Sequence, residues 1–397
     1  MSDTIASPLQ LDELVDRLFG TFDPSAQPSA DHVRELGSHG WAAPTVPVAY
    51  GGRGVGLRSA CELAAELSRV DPSLGMAAGA QLLAATLVQE LGTDEQKREL
   101  LPAIADGSLV ASVAITEPQA GTDIAGISTT LLRTADGLRL DGTKAMVNNA
   151  GLADRYFVVA KVEEEPAGED RRPGFAVVVV SPSADGVTIG SGERMMGFEG
   201  CSVAGLQLAG VQVDPADVLG ADLTRSALPH LMRSLVFTRC WTAGMGVGVA
   251  AEALDRALLH AESRTVGGQP LARMQGIAFK LADMAVQVEA ARRLTIWAAE
   301  TCDPGSGATT GERAYASSLA KLRATDAAMA VTIEAVQVLG GWGYFESGGV
   351  ARLMRAAKAL QIFEGANEVH RSIISRNLYP VSPRVAARVP DTSQQAT

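Results

Sequence analysis

The sequence predicts an α+β fold with its helical and β segments in separate blocks, and three observations lead there. Helical periodicity runs from about Leu11 to Ile104, gives way to short β-branched runs that end near Leu219-Gly220, and resumes from about Ser226. Such blocks differ from the alternation of strand and helix that builds a parallel sheet. Aromatic residues are only 5% of the 397 while hydrophobic residues reach 47%, so the core must be aliphatic and alanine-packed, which favours close-packed helices. A chain of this length buries a large core in two or three domains.

Residues 1–108 read as an N-terminal helical domain. Loops punctuate it at Asp23-Pro24 and at Tyr50-Gly51-Gly52-Arg53-Gly54, and a helical stripe follows from Leu57. A second helical run, Gln81 to Glu90, stops at Gly92. Asp94-Glu95-Gln96 opens a short helix through Leu101 with acids in the first turn, where the helix dipole favours them. Residues 109–222 read as a β domain. Leu109–Ile115 is extended and apolar, Leu138–Lys144 alternates, and Tyr156–Ala160, Phe175–Val180, Leu206–Leu208 and Val211–Val213 are strand-like. The charged stretch from Glu163 to Pro173 reads as an exposed loop. Residues 223–380 carry long Ala/Leu/Val-rich helical segments at Leu235–Ser263, Gln275–Glu300, Glu312–Leu339 and Val350–Leu378. Residues 381–397 are polar and proline-containing, and are expected to be a flexible tail.

Composition excludes several classes. A net charge of −11 argues against nucleic acid or an anionic membrane as a general partner. The four cysteines (Cys61, Cys201, Cys240 and Cys302) and the five histidines show neither disulfide-framework nor metal-ligand spacing, so no metal is expected. Met1-Ser2-Asp3-Thr4 has no basic start or apolar run of a signal peptide, and no uncharged apolar stretch approaches the roughly 18 residues that span a bilayer. A soluble, cytoplasmic protein without membrane insertion is expected. Two glycine clusters mimic a dinucleotide fingerprint. Gly51–Gly56 has the wrong spacing and no preceding strand, and Gly244-Met245-Gly246-Val247-Gly248 lies in a helical pattern, where small residues let helices approach. No G-x-S-x-G elbow supports a hydrolase.

The chemistry lies elsewhere. In Gln361-Ile362-Phe363-Glu364-Gly365-Ala366-Asn367-Glu368 a lone acid sits between apolar residues and a glycine. A carboxylate desolvated by such neighbours has a raised pKa and is a stronger base. Far upstream, Ile115-Thr116-Glu117-Pro118-Gln119-Ala120-Gly121-Thr122-Asp123 forms a polar turn rich in small hydroxyl residues, able to offer N–H and O–H donors to a ring edge or pyrophosphate. The two segments in this order resemble the acyl-CoA dehydrogenase family of flavoenzymes, and the resemblance extends from about Gly40 to Leu378.

The first segment resembles T-E-P-x-x-G-S-D, with Thr122 for the serine. Asp141-Gly142-Thr143-Lys144-Ala145-Met146-Val147-Asn148-Asn149-Ala150 resembles G-x-K-x-W-I-T-N-A, but Met146 stands for the tryptophan beside the flavin ring and Asn148 for the threonine near its N5. Arg264 through Leu271, followed by Gln275, resembles a family segment whose arginine and glutamine reach the cofactor's ADP half across a subunit interface, with Gly267 in place of a phenylalanine. Glu334–Tyr344 resembles A-V-Q-x-x-G-G-x-G-Y, implying that Gln337, Gly340 and Gly341 line a neighbour's adenosine site. Arg352–Lys358 resembles R-x-x-R-D-A-K with Ala356 for the aspartate. In the last motif Ala366 replaces a threonine that bonds the flavin, and Glu368 is retained.

The resemblance implies an N-terminal helical domain, a middle β-sandwich or barrel and a C-terminal four-helix bundle. It implies FAD held by Thr116, Gly121, Thr122, Met146, Asn148, Arg264, Gln275, Gln337, Gly340, Gly341, Ala366 and Glu368. Glu364 would remove the α-proton of an acyl thioester while a hydride passes from the β-carbon to flavin N5. Relatives that carry the base on an earlier helix would place it at Thr238, which cannot serve, and Arg239 beside it is expected to order the pocket. The four cofactor-site departures at Met146, Asn148, Gly267 and Ala366 suggest a specialised branch acting on acyl-CoA or on acyl-carrier-protein thioesters. An electron-transferring flavoprotein or oxygen would be the acceptor, and the chain would form a homo-oligomer, dimer or tetramer. A flavin monooxygenase on the same fold, or an interaction protein without FAD, are the alternatives.

Overall fold

The computed structural model describes residues 8–20, 22, 30–164, 174–223 and 226–378. The expected tail, and most of the expected loop between Glu163 and Pro173, lie outside the described residues. The N-terminal block comprises α1 (Pro8–Phe19), α2 (Ala30–Ser38), α3 (Leu57–Val70), α4 (Pro72–Leu91) and α5 (Asp94–Ala105). Helix α4 begins nine residues before the predicted Gln81 start. Asp71 caps it by accepting from Ser73 N at 2.7 Å, and Pro72 occupies its first turn, where no N–H is needed. This helix is long and apolar enough to cross a membrane by length and composition, but 72% of that stretch is buried inside the fold. It is a core helix. A reciprocal capping box between Thr93 and Gln96 opens α5.

The middle block is one sheet of seven strands: β1 (Ala111–Ala114), β2 (Thr130–Thr134), β3 (Gly137–Asn148), β4 (Arg155–Glu164), β5 (Gly174–Val180), β6 (Val187–Ile189) and β7 (Val203–Val213). β4 pairs with β5 antiparallel and with β1 and β2 in parallel, while β2, β3, β7 and β6 continue antiparallel. The β3–β7 register shifts between Lys144 and Val147, and at this bulge Met146 takes a left-handed φ of 55°.

The C-terminal block consists of α6 (Leu228–Ser263), the small hairpin β8 (Thr265–Val266) and β9 (Gln269–Pro270), α7 (Gln275–Cys302), α8 (Thr310–Leu339), α9 (Val350–Leu360) and α10 (Asn367–Asn377). The second glycine cluster does what its composition suggests. A Cβ at Gly248 would lie 2.1 Å from Ala65 O on α3, and one at Gly246 would lie 3.0 Å from the Ala324 carbonyl on α8. Only hydrogen lets α6 sit this close to both neighbours.

One expectation fails here. The periodic run Val350–Leu378 is two helices, because Glu364 and Gly365 adopt φ values of 54° and 91°, which no right-handed helix accommodates. The break delivers the predicted base.

Candidate active site

Glu364 sits in the loop between α9 and α10, and its own carbonyl and the next one are both gripped. His370 Nε2 donates to Glu364 O at 3.1 Å, and Lys321 Nζ donates to Gly365 O at 2.7 Å and to Asn367 Oδ1 at 3.0 Å. Both gripping side chains are fully buried. Since the Nε2 hydrogen is committed to a carbonyl, the Nδ1 of His370 is left to accept from Ser318 Oγ at 3.2 Å. Burial, with the Lys321 and Arg239 cations nearby, pushes the His370 pKa down to about 3, so the ring stays neutral. A left-handed non-glycine residue costs about 1–3 kcal/mol and persists only where its surroundings over-determine it. These contacts supply that constraint.

The carboxylate points to α6. Its Oε2 accepts from Thr238 Oγ1 at 2.7 Å, and Thr238 and Arg239 are themselves buried. Burial raises the Glu364 pKa, opposed by the Thr238 hydrogen bond and by the Arg239 and Lys321 charges. The direction agrees with the sequence reading, but the cause differs in part. Ile362 is 60% exposed and shields nothing, whereas Phe363 packs edge-on to Phe198 with ring centroids 5.5 Å apart. Desolvation comes from Phe363 and from helices distant in sequence. Lys321 is in turn held down to about 8 by its own burial.

The second part of the site lies at the edge of the sheet. Thr116, Gly121 and Thr122 occupy the loop after β1, partly or fully exposed. That loop is fixed by a buried ion pair the motif reading did not single out: Lys144 Nζ donates to Glu117 Oε1 at 2.7 Å and to Ile115 O at 3.1 Å, and both side chains are wholly buried. Glu117 also accepts from the N–H groups of Ser128 and Thr129 at 2.6 and 2.9 Å, and its pKa falls far below the carboxylate range despite burial. The signal was present, an acid and a base in neighbouring motifs, yet neither touches the exterior. They position the loop. Ser112 Oγ bonds Asn148 O, leaving the Asn148 side chain with a buried Oδ1 that has no partner, and Met146 projects with 77% exposure.

Two contacts tie this edge to the base. Asn149 Nδ2 donates to Ala77 O of α4 at 3.3 Å, and Ser202, on the loop that also carries Phe198, donates through Oγ to Ala150 O. Ala366 precedes α10 and Glu368 opens it, accepting from Arg371 at 3.4 Å. The structure does not bring Arg264, Gln275, Gln337, Gly340 and Gly341 to this place. Lys280 of α7 and Glu334 of α8 pair at 2.5 Å, so Gln275 and Gln337 lie beyond that pair at one end of the bundle. Gln337 is sixteen residues along α8 from Lys321, roughly 24 Å at the helical rise. Arg352, from the R-x-x-R motif, is structural: it bonds Asp71 and, at 3.1 Å, Val70 O, locking α9 to the start of α4.

The helix–sheet–helix frame thus carries a buried carboxylate on a left-handed turn and, at one edge of its sheet, polar groups left open. Comparison with known proteins assigns this frame to a family. Models of the acyl-CoA dehydrogenase N-terminal, middle and C-terminal domains match residues 14–108, 112–211 and 228–379 in that order. The chain belongs to the acyl-CoA dehydrogenase family. It is 35% identical over 347 residues to an acyl-CoA dehydrogenase of Bacillus subtilis (strain 168), spanning 87% of this chain and 89% of the relative. It is 35% identical over 336 residues to a cyclohex-1-ene-1-carbonyl-CoA dehydrogenase of Geobacter metallireducens, spanning 84% of this chain and 86% of the relative. The butyryl-CoA dehydrogenase structure from Megasphaera elsdenii superposes with a TM-score of 0.86 at 30% identity, covering 95% of this chain and 100% of that one.

Members are FAD-dependent oxidoreductases that act on a CH–CH bond, and the residues at the sheet edge fit that cofactor. Asn148 Oδ1 is a buried acceptor awaiting a donor, and a Cβ at Gly121 would meet only Thr116 Cγ2, at 3.9 Å, so a ligand can lie close against the backbone there. Among the described residues no cluster of His, Cys, Asp or Glu could hold a metal.

The ion pair gives a first test. Lys144→Met leaves Glu117 charged and buried, and should cost about 3–5 kcal/mol in urea unfolding, most of it regained when Glu117→Leu is added. A loss below about 1 kcal/mol would show that the pair does not hold the loop.

Proposed function

We propose that this protein desaturates the α,β bond of an acyl thioester, with Glu364 as the base that takes the α-proton. The reading is carried by one observation: a carboxylate fixed on left-handed backbone, 2.7 Å from a buried threonine and flanked by buried cations. A thioester α-proton is only weakly acidic, so the base gains strength from desolvation, while the Arg239 and Lys321 charges oppose the rise in its pKa. The Glu364 N–H has no acceptor among the described residues. It is free to donate to the thioester carbonyl, where negative charge develops as the proton leaves. Thr238 orients the carboxylate and Arg239 orders the pocket. FAD, when bound, supplies the two-electron acceptor for the hydride from the β-carbon.

Thr116, Gly121, Thr122, Met146, Asn148, Ala366 and Glu368 would hold the flavin half of the cofactor. Arg264, Gln275, Gln337, Gly340 and Gly341 would serve its ADP half from a second copy, since they gather at the end of the bundle away from the base, where α6 ends, α7 begins and α8 ends. Exposed Phe279, Trp342, Tyr344 and Phe345 at that end of the bundle give such a copy an apolar surface to cover. The thioester is carried by coenzyme A or an acyl carrier protein, and an electron-transferring flavoprotein or oxygen takes the electrons onward.

Glu364→Gln should retain FAD and fold yet show no anaerobic flavin bleaching by substrate, because size and hydrogen bonding survive while the proton acceptor is gone. Normal bleaching would sink the assignment.

Lys321 provides a pH test. The groups facing Glu364 are Arg239 on α6, Lys321 on α8 and His370 on α10, with Asp326 and Glu368 near Lys321. Glu364 must be ionised, so flavin reduction is lost as pH falls through its pKa. Lys321→Met removes a cation that lowers this pKa, and the acid limb of the rate profile should therefore move to higher pH. An unmoved limb with an unchanged rate would mean that Lys321 does not act on the base.

Light scattering of the FAD-loaded protein should give a dimer or larger. A monomer with stoichiometric FAD would refute the shared cofactor site.

A further inference from the structure

The reaction fixes two substrate atoms, the α-carbon at Glu364 and the β-carbon at the flavin, and so determines where the rest of the acyl chain must begin. The surroundings of that point are set by α4 and α6. On α4, the stretch Gly75–Gly79 is tied to the cofactor strand through Ala77 O and Asn149. On α6, Thr238 meets the base, and Trp241 and Met245 follow it at one- and two-turn spacing on the same face. Trp241 is 2% exposed, and its Nε1 donates to Gly75 O at 2.8 Å. Gly79 is what admits the indole: a Cβ there would lie 2.8 Å from Trp241 Nε1 and 3.0 Å from Cδ1. A Cβ at Gly75 would meet Ser68 Oγ at 2.4 Å and Met245 Cε at 3.2 Å, so this glycine seats α4 against α3 and Met245. The largest side chain available thus fills a notch cut by Gly79, one turn from the base and on the helix stretch bound to the cofactor strand.

We propose that Trp241 is a specificity-determining residue that closes the acyl pocket, and that the substrate is a short acyl thioester whose chain ends a few bonds beyond the β-carbon. The proposal rests on the reading of Glu364 as the base, which locates the α-carbon. The space a longer chain would need between α4 and α6 is occupied by an indole anchored at its nitrogen, so it does not swing aside without abandoning a buried donor. The notch walls are backbone and cannot retreat.

The test reads binding rather than turnover. Trans-2-enoyl thioesters of pantetheine, the arm common to coenzyme A and acyl carrier proteins, are titrated from butenoyl to dodecenoyl into the FAD-loaded protein, following the flavin absorbance shift and the calorimetric Kd. The wild type should bind butenoyl best and lose at least about tenfold by octenoyl, the discrimination a closed apolar pocket achieves. Trp241→Ala should reverse the order, with octenoyl at least as tight as butenoyl, and Trp241→Phe should move the optimum by a smaller step. Wild-type affinity that rises steadily with chain length, through dodecenoyl, overturns the proposal even if Trp241→Ala does not fold. So does a Trp241→Phe protein with the wild-type length profile. Substrate bleaching in Glu364→Gln would remove the base assignment while leaving this affinity profile readable, so the two failures are distinguishable.

Discussion

The backbone of Glu364 and Gly365 is the constraint on which the rest depends. A left-handed pair between two right-handed helices is not a conformation the local sequence would hold in water, because a side chain at φ 54° is strained. Each of the two carbonyls the turn leaves behind is taken by a buried donor, His370 for one and Lys321 for the other. The same two side chains therefore both position Glu364 and satisfy polar groups at a helix break. The charge on Lys321 has a second effect, since an ammonium buried beside a carboxylate moderates the rise that burial imposes on the carboxylate's pKa. Geometry and basicity come from one contact network.

That network needs α6 and α8 to lie close together, and the glycines supply the approach. Gly246 brings α6 to α8, and Gly244 and Gly248 bring it to α3, so Thr238 on α6 can reach the Glu364 carboxylate while Lys321 on α8 holds the next carbonyl, Gly365 O. Thr325 and Asp326, one turn beyond Lys321, take the Asn367 amide at 3.0 and 2.8 Å, which fixes the start of α10 and with it the far side of the loop. Packing at methylene resolution is thus a condition of the chemistry: added volume at these glycines would push α6 from its neighbours before it touched the site itself.

What the sequence made legible follows from range. Motifs contiguous in the chain were readable: the turn around Thr116–Asp123, the strand to Asn148, and Glu364 as a desolvated carboxylate. The block order of helices, strands and helices was readable too, because periodicity is a local property. Partners that meet only through the fold were not. Lys321 lies in an ordinary helical stripe, and nothing in its neighbours announces that it grips Gly365. The ends of α4 and α9 were misjudged for related reasons. Gly75 and Gly79 look like weak helix formers and hid the first turns of α4, though Gly75 is there to seat Ser68 and Met245 and Gly79 to receive Trp241. The helical period from Val350 to Leu378 ran through a break that only tertiary contacts enforce.

Helix α8 joins these levels. Near its middle it carries the cation that positions the base, and near its end it carries Gln337, roughly 24 Å away. A cofactor ring beside one cannot be touched by the other. In the proposed assembly the end of α8 therefore belongs to a neighbour's site, while its middle belongs to its own. The exposed aromatic residues around Gly340–Tyr344 are then the price of building a ligand site that a single chain leaves half made. The same logic bears on the departures at the sheet edge. Met146 and Asn148 sit where the chain bulges and where an acceptor is left without a partner, so that edge is completed only by what binds there. A fold whose base is fixed entirely by its own helices, but whose cofactor contacts are left open at two separate ends, separates the two tasks physically. In the proposed reading, proton abstraction is organised within a subunit and cofactor retention depends on the assembly.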